Sequence, residues 1–108
     1  MVTKAGKKRY FKWRLNKLVE EASKNAKEYR ILITSSTQDW KARLLEHPTA
    51  FIYVTRHGCF IQFLENGDIT PPKLCKTIDE AIDETTSWLV ERPFRWYIKW
   101  EKIEGEYV

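Results

Sequence analysis

The first 19 residues interleave basic and aromatic side chains, a combination that suits contact with nucleic acid. Lysine and arginine neutralise phosphates, and tyrosine and tryptophan rings stack on unpaired bases. The candidate binding residues are Lys7, Lys8, Arg9, Tyr10, Lys12, Trp13, Arg14 and Lys17. They predict a nucleic-acid-binding module, for DNA or RNA, in which Tyr10 or Trp13 stacks on bases and sequence readout is weak.

The distribution of charge favours the same interpretation. Residues 1–19 carry seven basic side chains and no acidic one, whereas the rest of the 108-residue chain carries 12 basic and 15 acidic ones. A concentrated basic segment on a mildly acidic body indicates a surface that faces a partner, because evenly spread charge would serve solubility equally well. We therefore divide the chain into a basic N-terminal arm over 1–9 and a single globular domain over 10–108. The alternative is that the lysines only solvate the chain end.

One further segment partly resembles a nucleic-acid motif, the octamer that RNA-recognition motifs carry on their third strand. The matching positions are Arg56, Phe60, Ile61 and Phe63, and Cys59 is tolerably small for the position that it occupies. His57 stands where that motif has glycine, and Gly58 replaces one of its two base-stacking aromatic residues. Because of these departures, the chain is not assigned to that family.

Residues able to ligate a metal ion or to act as a nucleophile are few. The thiol and imidazole groups are His47, His57, Cys59 and Cys75. Their spacing fits no standard zinc pattern. His57 is only two residues from Cys59, and on a strand this spacing rarely aligns a histidine as the base that activates a thiol. The four glycines are scattered, so they form no phosphate-binding loop. We therefore predict no catalytic residues, no metal, no cofactor and no enzymatic activity.

A surplus of aromatic residues raises a second hypothesis, a small protein-binding inhibitor or adaptor. Trp96 and Trp100 share one face of a predicted strand, and Tyr97 lies on the opposite face. If the sheet is covered on one side only, one of these sets is exposed and can anchor a protein partner. This hypothesis includes a homodimer formed through a sheet edge.

The elements that must position these residues are predicted from hydrophobic periodicity and capping signals. Helices are predicted over about 11–28, 37–46 and 77–91, and strands over 29–34, 50–56, 59–64 and 94–101. Residues 65–76 are predicted to be connecting structure with at most a short extra strand. The best-marked helix opens with a capping box, in which Thr77 is followed three residues later by Glu80.

This order predicts one α+β domain, with a leading N-terminal helix followed by a ferredoxin-like β-α-β-β-α-β sandwich whose sheet is antiparallel. The leading helix must either pack on the sheet or project from it as an arm. Its apolar stripe, which includes Phe11, Leu15 and Leu18, favours packing because such a stripe needs burial.

Composition also limits the expected location of the protein. Two cysteines are too few for a disulfide framework, which favours the reducing cytosol. The longest wholly apolar run, Ala50–Val54, is far shorter than the roughly 20 residues that span a bilayer. The basic N-terminus is not followed by the apolar stretch of a secretory signal. We therefore expect a cytoplasmic protein that does not bind membranes.

Overall fold

A computed structural model describes residues 3–36, 48–65, 67–92 and 95–103. In this part of the chain, two α-helices pack on one face of a six-stranded antiparallel sheet. The predicted α+β domain with a leading helix and an antiparallel sheet is confirmed. The helix predicted over 37–46 lies outside the described residues. Neither described helix contains a stretch long and apolar enough to cross a membrane.

The leading helix, α1 (Lys4–Asn25), begins earlier than residue 11, where the sequence predicts its start. The hydroxyl oxygen of Thr3 accepts a hydrogen bond from the backbone N–H of Gly6 at 3.0 Å and so caps the first turn. The basic residues expected in an arm ahead of the helix therefore lie in its first two turns. Leu15 is fully buried beneath α1, so the helix packs on the sheet and does not project from it.

Six strands form the sheet. They are β1 (Tyr29–Ser36), β2 (Thr49–Thr55), β3 (Gly58–Glu65), β4 (Asp68–Ile69), β5 (Lys73–Cys75) and β6 (Arg95–Lys102). Their order is β4-β3-β2-β1-β6, and β5 also pairs with β3. All pairings are antiparallel.

The ferredoxin-like order is not confirmed. In a split β-α-β unit, the two strands that flank the helix run parallel and another strand lies between them. Here β1 and β2 are antiparallel neighbours, with Ile31 opposite Ile52, and β6 lies on the other side of β1. The periodicity within a strand determines which face is buried, but it does not determine which strand lies beside it.

The β2–β3 hairpin turns at Arg56-His57, one residue before the predicted His57-Gly58, and Gly58 opens β3 opposite Thr55. Gly58 has a φ of +133°, a conformation that other residues rarely adopt. A Cβ atom on Gly58 would also lie 3.0 Å from Cδ1 of Leu74 on the neighbouring strand β5. The hairpin places Ile52 opposite Ile61, so that both side chains are buried on the same face of the sheet.

The second helix, α2 (Ile78–Val90), opens at the predicted cap. The hydroxyl oxygen of Thr77 accepts a hydrogen bond from the backbone N–H of Glu80 at 3.0 Å. The carboxylate of Glu80 in turn accepts from the backbone N–H of Lys76 at 3.1 Å. Leu89, near the end of the helix, is fully buried in the core.

Alternate residues of the central strands point to opposite faces of the sheet. The side chains buried under α1 and α2 include Ile31, Ile33, Ile52 and Ile61. The opposite face, which we call the outer face, carries the half-buried side chains Leu32, Phe51, Tyr53 and Phe60. The two faces therefore differ, because one holds the core and the other presents aromatic rings.

Candidate nucleic-acid interface

Most of the predicted binding residues lie on one side of α1. Lys7, Tyr10 and Arg14 follow spacings of three and four, which places them in one row along the helix, and Lys17 continues that row. Arg9 and Trp13, four residues apart, are exposed beside it. We call this set the α1 basic flank, and its members are Lys7, Arg9, Tyr10, Trp13, Arg14 and Lys17.

Lys8 and Lys12, the other two predicted residues, point towards α2. Their ammonium nitrogens lie 3.2 and 2.7 Å from Oδ1 of Asp83. The Lys12 ammonium, and after it that of Lys8, lowers the pKa of the Asp83 carboxyl. These two lysines therefore join α1 to α2, and Asp83 partly neutralises their charge.

Two aromatic rings of the flank face solvent. Tyr10 is 51% exposed and Trp13 is 58% exposed. Their ring centroids are 6.4 Å apart, with an angle of 33° between the ring planes. Phe11, which lies between them in sequence, packs instead against the core. The exposed rings are thus available to stack on a flat partner such as a nucleobase.

The cations of the flank are largely unpaired. Within the described residues, no ion pair or hydrogen bond engages the side chains of Lys7, Arg9 and Arg14. Lys17 lies 3.8 Å from Glu20, but both side chains are well exposed, so this pair contributes little stability. The flank therefore keeps several positive charges available to an external anion.

A cleft lies between the α1 basic flank, the end of α2 and the start of β6. Its volume is about 540 Å³. The cations that line it are Lys7, Arg14, Arg92 and Arg95. Its apolar walls come from Tyr10, Phe11, Leu89 and Trp96. No carboxylate is among its described lining residues, and we call it the basic cleft.

Arg92 is the most constrained cation of the basic cleft. Its guanidinium forms a two-pronged ion pair with Glu65 at the end of β3 and donates to the carbonyl oxygen of Trp88 at 2.8 Å. Its Cζ atom lies 4.0 Å from the centroid of the Trp88 ring. Glu65 therefore neutralises Arg92 and fixes it as a wall of the cleft. Arg95 is exposed, and no ion pair or hydrogen bond joins its side chain to another described residue.

Arg92 and Arg95 are not among the site residues predicted from the sequence. They lie near the other end of the chain, and only the packing of α2 and β6 beside α1 brings them to Lys7. The alternation around Trp96 does place Arg95 on the exposed side of its strand. That signal does not reveal which surface lies next to it.

The two cysteines lie opposite each other on β3 and β5 as buried free thiols. Burial, with a smaller effect from Cys75, raises the pKa of Cys59 to about 11. A thiol with a raised pKa is a poor nucleophile, since the thiolate is the reactive form.

His57 is exposed in the hairpin turn. Among the residues that the structure describes, no group of three acidic, histidine or cysteine side chains could hold a metal ion.

The outer face forms a second surface with aromatic character. Phe60, from the octamer-like segment, lies opposite Tyr53 on the neighbouring strand. Both rings line a groove of about 450 Å³ near the β2–β3 turn. Trp96 is buried on the side of the helices at 8% exposure, whereas Tyr97 on the outer face is 67% exposed. The aromatic residue of β6 that is available to a partner is therefore Tyr97.

Neither a protein-family model, nor a curated protein, nor a solved structure matches this chain.

Proposed function

We propose that this protein binds single-stranded nucleic acid along the α1 basic flank, without strong sequence preference. The observation that carries the proposal is the combination, on one side of a packed helix, of exposed rings and unpaired cations. Tyr10 and Trp13 are both more than half exposed. Lys7 and Arg14 have no partner among the described side chains.

The cations and the aromatic rings of the flank would contact different parts of the ligand. The cations neutralise phosphates and release counterions, a contribution that does not depend on base sequence. The rings stack on base faces, which a duplex hides and a single strand exposes. Single strands are therefore the favoured form of ligand.

The packing of α1 supports this function because it orders the binding residues before a ligand arrives. Leu15 and Ala22 are fully buried beneath the helix. Phe11, Leu18 and Val19 also pack against the core. A surface held in this way loses less conformational entropy on binding than a disordered basic tail would lose.

Protein binding through the outer face is the second candidate function. The rings of Phe51 and Tyr53 stack at 5.9 Å with an angle of 14°, and Tyr97 is well exposed on the same face. Exposed aromatic residues are frequent anchors of protein interfaces. Such an interface would involve neither the cations nor the rings of α1.

Removal of both exposed rings of the flank tests the proposed function. In the Tyr10→Ala/Trp13→Ala variant, affinity for a labelled single strand of about 12 nucleotides should fall by about tenfold or more, because stacking contributes roughly 1–3 kcal/mol per base. Fluorescence anisotropy at low salt measures this loss. A duplex of the same sequence, titrated in parallel, should bind the unmodified protein more weakly than the single strand.

Ile69→Ala/Leu74→Ala is the matched control, because it removes two exposed apolar side chains on β4 and β5, at the opposite edge of the sheet from β6. This control should bind the single strand as the unmodified protein does. If the unmodified protein binds neither the single strand nor the duplex at low salt, protein binding through the outer face becomes the first hypothesis.

A further inference from the structure

The basic cleft brings together positive charges that nothing in the described chain neutralises. Lys7, Arg14 and Arg95 line the same 540 Å³ space, and the described residues supply no ion pair to any of the three. The fourth cation, Arg92, already shares its charge with Glu65. Like charges held close together repel one another, so a bound anion would lower the electrostatic energy of this arrangement.

The walls of the cleft favour an anion that also carries a flat apolar group. Tyr10, whose ring is 51% exposed, lines the same space as the three cations. Phe11 and Trp96 also line this space, but both pack against the core. A bare inorganic anion would use the cations and would make no use of the exposed ring of Tyr10. A phosphate attached to a nucleobase would use both, because every base has a face that stacks on aromatic side chains.

We infer that the basic cleft holds one unpaired nucleotide, with its phosphate at Lys7, Arg14 and Arg95 and its base against the exposed ring of Tyr10. The inference deepens the proposed function and rests on it, since the nucleotide would belong to the strand bound along the α1 basic flank. The cleft volume lies within the roughly 300–1,000 Å³ of small-molecule sites. Arg92, fixed by Glu65 and Trp88, would form a rigid wall on one side.

A nuclear magnetic resonance titration of the full chain tests this assignment with three probes. These are adenosine 5′-monophosphate, adenosine and inorganic phosphate. We expect the monophosphate to shift the backbone amide signals of residues 7–14, 89–92 and 95–96. We expect it to bind about tenfold more tightly than either adenosine or phosphate, because only the monophosphate engages both the cations and the ring of Tyr10.

A pair of arginine variants locates the phosphate. Arg95→Gln should weaken binding of the monophosphate by about tenfold, because it removes a charge-assisted contact in the cleft. Arg56→Gln is the matched control, since Arg56 is exposed in the β2–β3 turn and does not line the cleft. This control should leave binding unchanged. Both arginines are exposed, so the thermal melts of the two variants should coincide with that of the unmodified protein.

The outcomes separate this inference from the proposed function. If the single strand binds but the monophosphate does not, or shifts signals away from the cleft, the inference is wrong and the proposed function stands. If phosphate binds as tightly as the monophosphate, the cleft is an anion site only and the inference is wrong. If the monophosphate occupies the cleft but the single strand does not bind, the proposed function is wrong and the cleft is a site for free nucleotides.

Discussion

At the scale of single residues, the important distinction is between cations that are already paired and cations that are not. Lys8 and Lys12 are indistinguishable from Lys7 in a sequence of alternating basic and aromatic residues. The structure separates them because Asp83 of α2 lies 3.2 and 2.7 Å from Lys8 and Lys12. A pattern within α1 cannot reveal an acidic partner that is supplied by another helix.

Removal of the Asp83 charge should strengthen binding of a single strand. In the Asp83→Asn variant, Lys8 and Lys12 lose their anionic partner and become available to phosphate. Since each added phosphate contact increases affinity at low salt, we expect about three- to tenfold tighter binding at about 50 mM salt. The unmodified protein should keep the weaker binding over the whole neutral range, because the lysines lower the pKa of Asp83 and hold it ionised. Fluorescence anisotropy measures the difference.

Glu84→Gln is the control for the change in net charge. Glu84 is the next residue of α2, but its carboxylate lies 2.6 Å from the ammonium of Lys73 on β5. The Glu84→Gln variant should therefore show much less gain than Asp83→Asn. An equal increase of affinity in the two variants would mean that only the net charge matters. Release of Lys8 and Lys12 from Asp83 would then make no contribution of its own.

At the scale of elements, the sequence predicts best those helix ends that are determined by residues within one helical turn. The start of α2 is predicted correctly because Thr77 and Glu80 are three residues apart and form their hydrogen bond locally. The start of α1 is predicted too late because its apolar stripe begins only at Phe11. The cap at Thr3 lies ahead of that stripe, so the helix begins at Lys4.

The packing of α1 gives a prediction about stability. Leu15 is fully buried, so Leu15→Ala should lower the free energy of unfolding by about 2–5 kcal/mol through lost contacts and an internal cavity. Urea denaturation followed by circular dichroism measures this change. If α1 projected as an arm, the same substitution would change the free energy of unfolding by no more than about 0.5 kcal/mol.

Leu74→Ala is the matched control for this measurement. Leu74 lies on β5 and is 62% exposed, so the same change of side chain should cost little. A Leu15→Ala variant as stable as Leu74→Ala would contradict the packing of α1 on the sheet.

At the scale of the whole molecule, the candidate site is assembled from segments that are far apart in the chain. The sequence predicts the α1 contribution because charge and aromatic residues are concentrated there. It does not predict Arg92 and Arg95, since their position beside α1 depends on the order of the strands. That order, with β6 next to β1, comes from long-range packing that the local pattern does not encode.

The salt dependence of binding measures the electrostatic contribution of the entire surface. Each phosphate contact with a single strand contributes about −0.7 to the slope of log affinity against log salt concentration. The matched pair of variants is Lys7→Gln/Arg14→Gln in the flank and Arg56→Gln/Lys76→Gln away from it. Arg56 and Lys76 are exposed residues in the β2–β3 turn and between β5 and α2.

This salt titration is the most direct test of binding by the α1 basic flank. With phosphate contacts from the four cations of the flank, Lys7, Arg9, Arg14 and Lys17, we predict a slope of about −3 for the unmodified protein. Lys7→Gln/Arg14→Gln should make the slope shallower by about 1.4, whereas Arg56→Gln/Lys76→Gln should leave it unchanged. A slope near zero, or an equal change in both variants, would contradict phosphate binding by the α1 basic flank.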